Sequence, residues 1–148
     1  MNGVCVTDSL FFTVFPDEAA AVQIAELNER LRTQHTLKTR PIPAGRLHVT
    51  LQYTCAFDGF PADIAEKTIK AAETIALPPV DITLDHIESF SSRRPKRPLV
   101  FSGDASETCS ALVKALQDTL TEQGLETRRH SEFKPHITLL YDEHRIPK

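Results

Sequence analysis

Two stretches of this chain place a histidine and a hydroxyl group two positions apart. Residues 47–53 read LHVTLQY and residues 135–141 read PHITLLY, so His, Thr, Leu and Tyr recur at equivalent positions. β-Branched and aromatic residues are frequent in both stretches, which predicts two strands. Because side chains alternate between the two faces of a strand, the His and Thr of each stretch share one face. The opposite face is predicted to point to the core, and it carries Val49, Leu51, Tyr53, Ile137, Leu139 and Tyr141.

Two imidazoles on either side of a phosphodiester can act as a general acid and a general base. The pKa of histidine is close to working pH without strong tuning. The hydroxyls of Thr50 and Thr138 could donate hydrogen bonds to the non-bridging oxygens as negative charge develops. The residues alone leave two alternatives open. One is a pair of half-buried strands with ordinary surface His and Thr, and the other is a metal site that adds an acidic residue such as Asp142. Hydroxyls in both copies suit phosphate better than metal.

The paired His-x-Thr-Leu strands resemble those of the two-histidine (2H) phosphoesterases. Within them, the pattern is most similar to the RNA 2′,3′-cyclic phosphodiesterases, also described as 2′-5′ RNA ligase-like proteins. Further pieces agree in order: a strand at 10–15 ending in Phe-Pro, a following helix, a basic stretch at 93–97, and Phe-Lys-Pro-His at 133–136. The resemblance covers most of residues 8–142.

This resemblance implies an α+β, bilobal fold for a single domain spanning residues 1–148. Two antiparallel sheets would be related by a pseudo-twofold axis, with helices outside and the two His strands facing each other across a central cleft. Relatives continue past the second motif with another strand pair, whereas only residues 142–148 follow here. Either this is a shortened variant or the protein continues beyond Lys148.

The resemblance also implies the reaction. A 2′,3′-cyclic phosphodiesterase would convert cyclic phosphate termini of RNA or nucleotides to 2′-phosphates, with no metal and no cofactor. His48 would protonate the leaving 3′ oxygen, His136 would activate water, and Thr50 and Thr138 would bind the phosphate. The reverse reaction would be 2′-5′ RNA ligation. The alternative is a non-catalytic domain of the same fold that only binds a nucleotide or RNA.

One departure from the family pattern concerns the phosphate contact. Many relatives carry Arg five residues after the second His, and this chain has Tyr141 there. Strict alternation predicts that Tyr141 faces away from His136, which makes it a poor replacement. We expect other residues to contact the substrate, namely Phe57, Arg94, Arg129 and Lys134.

Composition limits the partners. The net charge of −3 disfavours a protein that wraps long nucleic acid, so an RNA 3′ terminus or a nucleotide is expected. Three cysteines without Cys-x-x-Cys spacing, and a start that lacks a signal-peptide pattern, predict a reducing cytoplasm. No apolar run is long enough to span a membrane, and we expect a monomer.

Periodicity and capping residues predict the remaining elements. Helices are expected from the Phe-Pro-Asp-Glu segment to about residue 34, at 62–76 and at 105–123. Asp104 is the predicted N-cap of the third helix and Gly124 its C-terminal cap. Alternating residues after Pro79 predict a strand from Val80 towards Phe90.

Overall fold

The computed structural model describes residues 8–57, 62–125 and 132–146. Helices and strands are interspersed along the chain, which confirms the α+β class. In order they are β1 (Asp8–Val14), α1 (Glu18–Gln34), a 3₁₀ turn (Ala44–Arg46), β2 (Val49–Phe57), α2 (Ala62–Glu73), β3 (His86–Ser89), β4 (Arg97–Ser102), α3 (Glu107–Glu122) and β5 (His136–Asp142). None of the helices in these ranges is long and apolar enough to cross a bilayer.

Capping side chains set the helix ends. The Asp17 carboxylate accepts a hydrogen bond from the Ala20 N–H at 2.7 Å and starts α1 where the sequence predicts. In α3 the N-cap is Ser106, whose hydroxyl accepts from the Cys109 N–H at 3.1 Å. The prediction of Asp104 is therefore wrong by two positions. Gly124 follows α3 with a φ of +75°, as its predicted capping role requires.

The described strands join in one five-stranded sheet in the order β1-β2-β5-β4-β3. The β2–β5, β5–β4 and β4–β3 pairs are antiparallel. The prediction of two separate sheets is not what these residues show, because Val49 at the start of β2 pairs with Ile137 in β5. That single register point joins the two His-x-Thr strands.

The chain divides into two compact units. The first takes the described residues up to Thr13, Thr50–Ile82 and Ala105–Phe133, and in it α2 packs against α3. The second takes Val14–Val49, Thr83–Asp104 and the described residues from Lys134 on. In the second unit α1 packs against β5, and the buried Asn28 amide donates to the Leu139 carbonyl at 2.8 Å.

The strand β3 is shorter than the alternation of residues after Pro79 predicts. The strand begins at His86, so the predicted strand from Val80 is wrong over its first half. Gly103 packs against this segment, and a Cβ there would overlap the carbonyl oxygen of Thr83. Ladder pairing begins beyond Asp85, whose N–H donates to the Ser102 carbonyl at 2.8 Å.

Candidate active site

His48 lies immediately before β2 and His136 is the first residue of β5, and burial alternates in the same way around both. Leu47 and Val49 are buried on either side of a half-buried His48. Pro135 and Ile137 are buried on either side of a half-buried His136. The apolar neighbours anchor each strand to the core, and each imidazole is held on the other face.

Both imidazoles are fixed by the same local hydrogen bond. His48 Nδ1 lies 2.8 Å from the Arg46 carbonyl oxygen, and His136 Nδ1 lies 2.9 Å from the Lys134 carbonyl oxygen. A carbonyl only accepts, so Nδ1 donates and carries a proton in both rings. In the neutral ring Nε2 is then the basic nitrogen, and in the charged ring Nε2 is a second donor. This tautomer places proton exchange at Nε2 in both rings.

The register of β2 and β5 brings the two histidines together. Val49 pairs with Ile137, and both are buried, so His48 and His136 lie on the opposite face. Counting from this pair, His48 is opposite Thr138 and diagonal to His136. Diagonal neighbours on antiparallel strands are about 7–8 Å apart between Cα atoms. The two strands are adjacent in the sheet at this point, and the predicted central cleft stays a prediction.

The two threonines keep the predicted alternation. Thr138 follows Ile137 in β5 and is half-buried, like His136. Thr50 follows Val49 in β2, is also half-buried, and lies on the same side of its strand as His48. In both motifs the imidazole and the hydroxyl therefore flank a buried β-branched residue.

An aromatic ring lies near each histidine, and no pattern in the sequence predicts these contacts. Phe15 lies 6.3 Å from His48 between ring centroids, at an interplanar angle of 59°. Phe90 meets the His136 ring edge-on, with centroids 4.8 Å apart. Phe15 is the first residue of the Phe-Pro pair already noted in the sequence, but nothing local signals that its ring lies near His48. These contacts restrict the orientation of both imidazoles.

A family comparison agrees with this arrangement. A model of the 2′-5′ RNA ligase superfamily matches residues 15–147, which include both His-x-Thr strands. The chain belongs to this superfamily. It is thus a 2H phosphoesterase family member, as the paired motifs predict. A search of curated protein sequences returns no significant match.

Solved structures show the same fold for this 2H phosphoesterase family member. Escherichia coli LigT complexed with NADP+ has a TM-score of 0.66 and 24% identity, with 95% of this chain and 76% of that chain covered. The protein TT0787 of Thermus thermophilus has a TM-score of 0.70 and 21% identity, with 95% and 78% covered. A structure titled only phosphoesterase has a TM-score of 0.63 and 22% identity, with 95% and 76% covered.

Lys134 is a predicted substrate contact of this superfamily member. It lies two residues before His136, and its ammonium group forms a salt bridge with Glu88. Its ammonium is 2.6 Å from Glu88 Oε1 and 5.7 Å from the centre of the Phe90 ring. The hydrogen bond from Lys134 is the main reason that the pKa of the Glu88 carboxyl is lowered, against the opposing effect of burial. His86 Nε2 adds a contact to the other oxygen at 3.1 Å. The backbone carbonyl of Lys134 orients His136, while the ammonium group of Lys134 is paired with the Glu88 carboxylate.

A β-bulge in β5 changes the predicted direction of Tyr141. Leu99 pairs with Leu140 but Val100 pairs with Thr138, so Leu139 is an extra residue between these pairs. Leu139 and Leu140 are both buried, and Tyr141 is 48% exposed. The alternation is reset at the bulge. Tyr141 therefore lies on the face of His136 and Thr138, and the prediction that it faces the core is wrong.

Asp142 lies outside this site, on the other side of β5 from Tyr141. Its carboxylate accepts from the Thr39 hydroxyl at 2.9 Å, from the N–H groups of Lys38 and Thr39, and from the His144 N–H at 2.9 Å. Burial alone would raise the pKa of this carboxyl, but these hydrogen bonds outweigh it and lower the pKa. Asp142 is thus a structural anchor and is not placed to bind a metal with His136. Within residues 8–57, 62–125 and 132–146, no three His, Cys, Asp or Glu side chains form a metal-binding group.

The remaining predicted contacts fall in three places. Arg94 lies in the turn between β3 and β4, where its N–H donates to the Ser92 hydroxyl at 3.1 Å, and it lines a cavity that also includes Tyr141. Phe57 ends β2, with a side chain outside the described part of the chain. Arg129 also lies outside the described residues. The roles of all three as substrate contacts stay predictions.

Proposed function

We propose that this protein hydrolyses 2′,3′-cyclic phosphates, at RNA 3′ termini or on nucleotides, to 2′-phosphates by a metal-independent two-histidine mechanism. The observation that carries the proposal is the matched pair of Nδ1–carbonyl hydrogen bonds on adjacent strands. A base and an acid are both needed to hydrolyse a phosphodiester, and each of these rings can exchange a proton at Nε2. A site that only held a nucleotide would have no use for two such rings.

The reaction follows from opposite starting charges of the two rings. Neutral His136 takes a proton from water at Nε2 while the water oxygen bonds to phosphorus. The bond between phosphorus and the 3′ oxygen breaks, and charged His48 gives its Nε2 proton to that oxygen. The products are a 3′ hydroxyl and a 2′-phosphate, with the protons exchanged between the rings. With a 5′ hydroxyl in place of water as the nucleophile, the same forward steps form a 2′-5′ linkage.

The threonine hydroxyls stabilise the negative charge that develops on the phosphate. Thr50 and Thr138 follow the histidines on the same faces of their strands, where they would donate hydrogen bonds to the non-bridging oxygens. Such donors act most strongly in the transition state, when these oxygens carry more negative charge. A strained cyclic phosphate needs positioned proton donors and acceptors more than a Lewis acid.

The net charge of the protein and the ligands of proteins that share its fold support a small substrate that carries phosphate. The net charge of −3 favours contact with one terminus or one nucleotide over a long polyanion. Escherichia coli LigT, which shares the fold, has been solved with NADP+, with 3′-AMP and with phosphate. RNA processing by a cytoplasmic monomer is the setting that we propose.

The test is turnover of 2′,3′-cyclic AMP in excess EDTA, followed by ³¹P NMR. We expect 2′-AMP as product, a bell-shaped pH profile, and losses of about 10²- to 10⁴-fold in kcat for His48→Ala and for His136→Ala. His144→Asn is the matched control, because His144 is exposed and follows the end of β5 that is far from His136. Activity that survives both alanine substitutions would refute the acid–base pair. Saturable nucleotide binding without turnover would indicate the non-catalytic binding domain instead.

A further inference from the structure

A concave surface lies at the far end of β5 from His136. It is a cavity of about 560 Å³, which falls within the usual range for small-molecule sites. The residues that line it come from the turn before β4 and from the end of β5 onward: Ser92, Arg94, Pro95, Lys96, Tyr141 and Glu143. It combines an aromatic ring, two cations and a hydroxyl in one concavity.

The bulge places this cavity on the same face of β5 as the catalytic pair. Tyr141 pairs with Pro98 beyond the extra residue, and it shares the face of His136 and Thr138. At a rise of about 3.4 Å per residue, Tyr141 and His136 are roughly 14–17 Å apart along the strand. This is further than the base of a nucleotide reaches from its own cyclic phosphate. It is within reach of the next nucleotide along a chain.

The charges of the cavity suit a single phosphate. Arg94 and Lys96 carry two positive charges against the one negative charge of Glu143. In the part of the chain that the structure describes, neither cation is in an ion pair with a carboxylate. This differs from Lys134, which is paired with Glu88 at 2.6 Å. A cation without a protein partner can bind a phosphate without first losing a salt bridge.

We propose that this cavity is a subsite for the nucleotide that precedes the terminal cyclic phosphate of the substrate. Arg94 and Lys96 bind the phosphodiester joining that nucleotide to the terminal one, and its base stacks on the exposed Tyr141 ring. The inference rests on the proposed function, because it assumes that the cyclic phosphate lies between His48 and His136. It specifies the substrate as an oligonucleotide end in preference to a free cyclic nucleotide.

Three substrates separate the contributions of the phosphate and the base. They are 2′,3′-cyclic AMP, the same nucleotide with a 5′-phosphate, and the dinucleotide ApA ending in a 2′,3′-cyclic phosphate. We expect kcat/KM to rise in that order, with an advantage of about tenfold or more for the dinucleotide over the mononucleotide. The phosphate accounts for the first step and the stacked base for the second.

Substitutions should then remove the two steps independently. Arg94→Ala and Lys96→Ala reduce the advantage of both phosphorylated substrates over 2′,3′-cyclic AMP. Tyr141→Leu removes only the further gain of the dinucleotide, whereas Tyr141→Phe keeps it. Glu143→Gln increases the advantage of both phosphorylated substrates, because it removes the opposing charge. Each result is a ratio measured on one protein preparation, so a partial loss of folded protein cancels.

Arg30→Ala, an exposed cation on α1, is the control and should leave the ratios unchanged. Equal kcat/KM for the three substrates, or ratios that Arg94→Ala and Tyr141→Leu do not alter, would overturn the subsite. Calorimetry with 2′-AMP and with ApA 2′-phosphate makes the same comparison without turnover. A tenfold affinity advantage of ApA 2′-phosphate, lost in Arg94→Ala, would support the subsite even if no cyclic phosphate were hydrolysed, and only the proposed function would then fail.

Discussion

The hydrogen bond from Nδ1 can be separated from the chemistry at Nε2 by one substitution. The side-chain nitrogen of Asn is attached to Cγ, as Nδ1 of His is. His136→Asn can therefore keep the donor to the Lys134 carbonyl, now held at 2.9 Å, while it deletes Nε2. His48→Asn does the same for the 2.8 Å bond to the Arg46 carbonyl. Alanine at either position removes both functions.

Stability and activity should respond differently to these changes. A hydrogen bond of this kind contributes about 1 kcal/mol net, and the half-exposed rings add no large buried area. We expect each alanine variant to lose about 1 kcal/mol of unfolding free energy, and each asparagine variant to lose only a few tenths of that. Activity should fall about 10²- to 10⁴-fold in all four variants. The asparagine variants are then folded and inactive.

The measurements are urea unfolding, steady-state turnover of 2′,3′-cyclic AMP, and long-range ¹H–¹⁵N NMR of the imidazoles at high pH. The NMR spectrum reports directly which ring nitrogen carries the proton, and we expect Nδ1 in both His48 and His136. The control is His144→Asn, which should change neither activity nor stability. Near-normal activity of His136→Asn, or a neutral ring protonated at Nε2, would refute the assignment.

Three further predictions concern stability. Asp142→Asn replaces a buried acceptor of several hydrogen bonds, and it should cost about 2–3 kcal/mol at pH 7 by urea unfolding. The pKa of Asp142 is lowered in the folded state, so the contribution of this carboxylate to the unfolding free energy is complete above about pH 5 and is lost as pH falls below about 4. The unfolding free energy of the variant should therefore depend less on pH in the acid range. Gly103→Ala should cost about 1–3 kcal/mol because its Cβ meets a backbone carbonyl, whereas Gly45→Ala, with open space around it, should be neutral; equal thermal midpoints would contradict this. Glu88→Gln should lower stability by no more than about 1 kcal/mol, since the partner Lys134 is partly exposed, and added salt should shrink the difference.

Local patterns in the sequence were enough to predict the helices and the two catalytic candidates. Apolar spacing and the Phe-Pro-Asp-Glu segment locate α1, and Gly124 marks the end of α3, because these signals act within a few residues. The alternation around His48 and His136 is equally local, and the observed burial follows it. The paired motifs also predicted the superfamily, which the match over residues 15–147 confirms.

What the sequence could not determine depends on contacts between distant segments. The pairing of Val49 with Ile137 puts both His-x-Thr strands side by side in one sheet, and no residue near either strand encodes that register. The bulge at Leu139 arises from the pairing of β5 with β4. It places Tyr141 on the face of His136, whereas strict alternation predicts the opposite face. The ammonium group of Lys134 is likewise paired with the carboxylate of Glu88, which lies 46 positions away in the chain. Alternation is a property of one strand, whereas register, bulges and ion pairs belong to two segments at once, and only folding brings those segments together.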